Sequence, residues 1–163
     1  MLKTLTSFIA AVIFGAAGSA AYADTTHSFD DQDSQAVRDI FLQQAAAATG
    51  HDIVAFEHVF ASTPAGQPDP IMLVAAAHQF WGKPALIAQF KETFKGVWNF
   101  VPDVGTIKIV PLSVDVAELY AEVQITRGAS EASAKTAPYH VYEVAVRTPD
   151  GWRIASIVPV SAQ

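Results

Sequence analysis

The chain closes on two long alternating stretches, YHVYEVAVRTPDGWRIASIVPVSAQ from Tyr139 to Gln163, and this segment constrains the fold more than any other. His140, Tyr142, Val144 and Val146 fall on one side of an extended chain, with Tyr139, Val141, Glu143, Ala145 and Arg147 on the other, as a half-buried strand requires. Thr148, Pro149, Asp150 and Gly151 interrupt the alternation, because Pro presets one turn dihedral and Asp-Gly readily takes the positive φ of a tight hairpin. A second strand follows, with Trp152, Ile154, Ser156, Val158 and Val160 on one face and Arg153, Ala155 and Ile157 on the other. The pattern predicts a long C-terminal β-hairpin.

The N-terminus is of another kind. Met1 to Lys3 is a short positive start, Leu5 to Ala17 an uncharged apolar run, and Gly18 to Ala23 a small-residue region ending in Ala21-Tyr22-Ala23. This is the architecture of a secretory leader, and it predicts a signal peptide over 1–23 with cleavage before Asp24. A spanning helix needs about 20 apolar residues, more than this run supplies, so no membrane insertion is expected once the leader is removed. The chain contains no cysteine, which leaves neither a disulfide nor a lipid-anchor thiol for the exported protein. A periplasmic or secreted location follows as the expectation.

The remaining length suits one domain with its own core. Net charge is −6, one unit more negative once Lys3 is lost, and the few basic residues are scattered; such a chain is a poor partner for nucleic acid or an anionic membrane.

Residues 24–33 are polar and acidic and read as a disordered lead-in to a domain over 34–163. Val37, Ile40, Phe41, Ala45 and Ala48 then recur at helical spacing, with Asp33 or Ser34 available as cap and Gly50 to close. A shorter helix fits Asp52 to Phe60, and STPAGQPDP from Ser62 to Pro70 is a loop. Ile71 to Trp81 reads as one strand or two short ones, and Lys83-Pro84 opens a third helix that Gly96 can end. Strands are expected over Thr106 to Leu112 and Val114 to Thr126, with a bulge near Ala117 or Glu118 to absorb a slip in the apolar phase. Arg127 to Pro138, small and polar, reads as a mobile hairpin loop. Helices segregated against an antiparallel sheet make an α+β domain.

The pieces GKPALIAQF from Gly82, PLSVDVAELYAEVQI from Pro111 and DGWRIASIVPV from Asp150, in that order, resemble the SnoaL-like, ketosteroid-isomerase-like branch of the nuclear-transport-factor-two superfamily. The resemblance implies a curved antiparallel sheet wrapped around N-terminal helices as a cone, an apolar pocket inside it, and a homodimer. It leaves the chemistry open, because function resides in sites rather than in the fold. Steroid-isomerase relatives carry a general-base carboxylate on the strand before the helix that starts like GKPALIAQF; Ile71 to Trp81 contains no Asp or Glu, and Asp69 lies in the preceding loop.

Alternation puts His140 and Tyr142 beside Val144 and Val146 on the expected inner face of the cone, where no acid is then available to stabilise an oxyanion. The candidate catalytic residues are therefore His78, His140 and Tyr142, and the candidate ligand-binding residues Phe80, Trp98, His140 and Tyr142. Trp81, Trp98 and Trp152 are core or pocket aromatics. Tyr120, Glu122 and Gln124 form a polar stripe that suits either solvent or a dimer surface. His51, Glu57 and His58 have no metal-ligand spacing, and no glycine cluster or nucleophile elbow is present, so no metal and no cofactor is expected. Three functions fit: a binder of a small, mainly apolar ligand, an isomerase-, cyclase- or hydrolase-type enzyme using the His and Tyr residues, and a homodimeric assembly module.

Overall fold

The computed structural model describes residues 28–162 apart from Pro64 and Ala77, so the expected leader lies outside the described residues. Helix α1 spans Asp31–Thr49, three residues earlier than the sequence suggested. Its cap is Asp30, whose carboxylate accepts from the backbone of Gln32 and Asp33 while the Asp33 carboxylate reaches back to the Asp30 N–H. Helix α2 covers Ile53–His58 and α3 Lys83–Thr93. Gly82 precedes α3 at φ 85, and Asp69 holds this junction by accepting from the backbone N–H groups of Ile71 and Lys83 at 3.0 and 2.9 Å.

The strands are β1 Met72–Ala75, β2 His78–Trp81, β3 Val97–Pro102, β4 Lys108–Pro111, β5 Val116–Gly128, β6 Lys135–Thr148 and β7 Gly151–Ser161. They form one sheet in the order β2-β1-β7-β6-β5-β3, with β4 and β3 sharing the outer edge of β5. All pairs are antiparallel except β1 with β7. Ile71 to Trp81 is thus two short strands in a hairpin, turning at Ala76 with φ 48.

Val97–Pro102, unassigned in the sequence, is a strand, and two expectations are corrected. The expected loop from Arg127 to Pro138 is partly sheet, because the β5 and β6 ladder continues to Arg127 and Lys135 and leaves residues 128–134 outside it. Along β5, Ala117, Leu119, Ala121, Val123 and Ile125 are buried in unbroken alternation, so it carries no bulge; Val114, which suggested one, lies in the bend before the strand. The bulge is in β7. Val144 pairs with Ser156 and Ala145 with Ile154, leaving Ala155 as the extra residue.

That extra residue lets Trp152 and Ile154 before it and Ile157 after it all face inward. They meet Val37, Phe41, Ala45 and Ala48 of α1, Phe56 of α2 and Leu86, Ile87 and Phe90 of α3 in one continuous core on the inner face of the curved sheet. Ala117 and Ala121 are fully buried, and their small side chains keep the inner face of β5 low beneath the helical layer. Phe56 sits against Phe60, Phe90 and Phe94 with ring centroids 5.0, 4.4 and 5.5 Å away, tying α2 to α3.

Candidate functional site

The helices do not fill the cone. Between α1, α3 and the sheet lies a cavity of about 520 Å³, a volume suited to a small organic molecule. Ala48, Phe56, Leu73, Phe90, Phe100, Ile125 and Ile157 give it buried apolar walls. Its mouth opens where exposed lining residues gather: His78 at the β1–β2 tip, Gln89, Glu92 and Lys95 at the end of α3, and Arg127 and Ala129 where β5 runs out.

Two buried polar atoms on lining residues have no hydrogen-bond partner: the Trp98 indole N–H and the Gln44 side-chain carbonyl. An unpaired buried donor or acceptor costs about 1 to 3 kcal/mol. Trp98 is held by Phe90, with ring centroids 5.5 Å apart, and by His51, whose Nε2 hydrogen-bonds the Trp98 carbonyl at 3.0 Å. His51 itself adopts φ 54 at the end of α1 and stacks on Phe94.

Behind Gln44 lies a group that sequence reasoning missed. Glu143 is 3% exposed on the inner face of β6, between Leu119 of β5 and Ile157 of β7. Burial among apolar neighbours pushes its carboxyl up to about 8, although the nearby Gln44 amide favours the charged form, and neither carboxylate oxygen has a partner at hydrogen-bond geometry. It is not among the residues lining the cavity; Gln44 stands between. The signal available in the sequence was the set Tyr139, Val141, Glu143 and Ala145, a face equally consistent with burial.

The candidate residues therefore separate. His78, Phe80 and Trp98 line the cavity, His78 from an exposed position stacked at 6.5 Å on Phe80. His140 and Tyr142 do not line it and stand on the opposite face of the sheet, a correction to the expected inner face. Val144 and Val146 share their side, but Val141 and Ala145 are the buried partners, because α1 covers the other face of β6. On the outer face Tyr142, 52% exposed, packs against Tyr120 with centroids 5.1 Å apart, and Tyr120 Oη shares a hydrogen bond with His140 Nδ1 at 2.8 Å. Trp81 is exposed at the sheet edge, while Trp152 is buried at the far end of the core. Among the described residues no cluster of three or more His, Asp and Glu side chains could hold a metal ion.

No family model matches the sequence, and no curated protein is significantly similar to it. Solved structures are similar in fold. A ketosteroid isomerase-like protein from Erwinia carotovora matches with TM-score 0.66 and 17% identity over 83% of this chain and 99% of its own. A member of the NTF2-like family from Streptomyces avermitilis, described as a candidate dehydratase, matches with TM-score 0.68 and 16% identity over 82% and 100%. An NTF2-like protein with a cystatin-like fold from Novosphingobium aromaticivorans matches with TM-score 0.63 and 13% identity over 81% and 83%. The cone of this chain is the cystatin-like, NTF2-like α+β fold.

Proposed function

We propose that this NTF2-like domain is an exported binder of a small, mainly apolar molecule held inside the cone. The observation that carries the reading is the cavity of about 520 Å³ with its aromatic and aliphatic walls. The test is native mass spectrometry of protein expressed with its leader and recovered from the periplasm, beside an Ala75→Trp variant that fills the cavity. A small molecule retained by the parent and absent from the variant is expected; none in either would overturn the reading. The export part rests on the Met1 to Ala23 pattern, and N-terminal sequencing should find Asp24 first.

A second reading, a proton-transfer enzyme, draws support from Glu143. A carboxyl pushed up to about 8 can give or take a proton near neutral pH, and it replaces the acid that the inner face had been expected to lack. The binder is favoured because Gln44 separates this carboxyl from the cavity and His140 and Tyr142 lie outside it. Turnover of a retained ligand that Glu143→Gln abolishes would reverse that preference.

The homodimer implied by the resemblance is proposed on the outer sheet face. Tyr120 and Tyr142 meet there, and Val160, 48% exposed, pairs with His140 across the β6–β7 ladder.

A further inference from the structure

Three charged side chains line the cavity, and they do not balance. Lys95 Nζ lies 2.6 Å from a Glu92 carboxylate oxygen, which neutralises both at the end of α3. Among the described residues, Arg127 has neither an ion pair nor a hydrogen bond to its guanidinium. Its cross-strand neighbour on β6 is Lys135, a second exposed cation; neither Lys135 nor Glu131, in the turn between the two strands, is among the lining residues. In a chain of net charge −6, the mouth of the one apolar cavity described above is thus locally cationic.

Arg127 also has a significant partner on its other side. It stands directly opposite Trp98 in the β3–β5 ladder, so the two side chains leave the sheet on the same face with Cβ atoms about 5 Å apart. The planar guanidinium offers a fork of donors matched to a carboxylate. An unpaired guanidinium at the rim of an apolar cavity complements one shape of molecule: an apolar body ending in an anionic oxygen pair.

Building on the pocket reading above, we infer that the ligand is an amphipathic organic acid, its aromatic or aliphatic body in the cone and its carboxylate at the mouth on Arg127. Lys135 adds long-range attraction for the anion. Neutral analogues of the same shape lose the charge-assisted contacts, and cationic ones meet repulsion.

The experiment uses three probes of matched shape, 2-naphthoate, 2-naphthalenemethanol and 2-naphthylmethylammonium, titrated against the mature protein by calorimetry at low and moderate salt. Expected is the order carboxylate, alcohol, ammonium, with only the carboxylate weakening as salt rises. Arg127→Gln should lower naphthoate affinity about tenfold, as loss of a charge-assisted hydrogen bond does, and leave the alcohol unchanged. Arg127→Glu should make the ammonium the preferred probe. Equal binding of all three, or an equal loss of acid and alcohol in Arg127→Gln, would overturn the inference while leaving the pocket standing. Failure of all three to bind, or binding untouched by Ala75→Trp, overturns the pocket reading and the inference with it.

Discussion

Trp152 donates its indole N–H to Asp33 Oδ1 at 3.2 Å, joining residues 119 positions apart, so the first turn of α1 is fastened to the start of β7. Arg147 completes the joint: its guanidinium lies 2.7 Å from Asp33 Oδ2 and stacks over the indole 4.7 Å from the ring centre. Phe29 closes the other side edge-on at 5.7 Å.

Removing the indole should therefore be costly. Trp152 is 4% exposed, and Trp152→Ala opens a large void while depriving Asp33 of one of its donors, for an expected loss of about 3 to 5 kcal/mol. Trp152→Phe keeps most of the packing and should lose about 1 to 2 kcal/mol. Denaturant unfolding with an unchanged m-value is the measure; a loss below about 1 kcal/mol for the alanine variant contradicts the geometry.

The same joint should govern acid stability. Burial would raise the Asp33 carboxyl, but hydrogen bonds from Arg147 and Trp152, the Asp30 backbone N–H and the Arg147 charge together lower it from 3.8 to about 2. Because the folded value lies below the unfolded one, this contribution is complete above the unfolded value and disappears as pH falls from about 3.8 through about 2. Asp33→Asn should be less stable than the parent near neutrality, and the difference should shrink across that acid window. A difference independent of pH would show that the charge of Asp33 plays no part.

How much of this was legible beforehand depends on what each residue's neighbours decide. The C-terminal hairpin was, because its alternation and the Pro149-Asp150-Gly151 turn are local. Which face it buries was not: both sides of β6 carry valines, and only the position of α1 selects Val141, Glu143 and Ala145. Ala155 hid the change of face along β7, since an alanine in a strand reads the same in a bulge as out of one. Residues 127 and 135–138 read as loop from their small, polar surroundings, yet the β5–β6 ladder there is made by backbone groups that depend little on side-chain type. Phe80 and Trp98 were recognised as pocket aromatics, whereas Gln44 and Arg127 acquire meaning only through the cavity they border.

The outer face offers a test of assembly. Tyr142, which packs on Tyr120 in the Tyr120–His140–Tyr142 cluster, contributes nothing to the inner core, so Tyr142→Asp should leave thermal unfolding of the isolated domain nearly unchanged. If this face joins two copies, the buried charge would disrupt the pairing, and sedimentation equilibrium should give a dimer for the parent and a monomer for the variant. A dimer in both would place the interface elsewhere.

Glu143 provides the sharpest dependence on pH. Its carboxyl rises from 4.5 to about 8 because burial among Leu119, Ile157 and the helix α1 side chains disfavours the charge, against which the Gln44 amide acts only in part. Between those values the unfolded chain has released the proton while the folded chain keeps it, so the folded state binds more protons and stability must fall as pH rises. The slope approaches about 1.4 kcal/mol per pH unit for one group, with the contribution complete below 4.5 and gone above about 8. Glu143→Gln, a near-isostere that cannot ionise, should remove this slope and exceed the parent in stability at the alkaline end. Parallel urea unfolding of the two proteins at several pH values between about 5 and 8 makes the comparison. Parallel stability profiles would mean that Glu143 folds ionised and that Gln44 and its surroundings solvate the charge; a parent profile that falls away from a flat variant places a neutral acid behind Gln44, one side chain from the cavity.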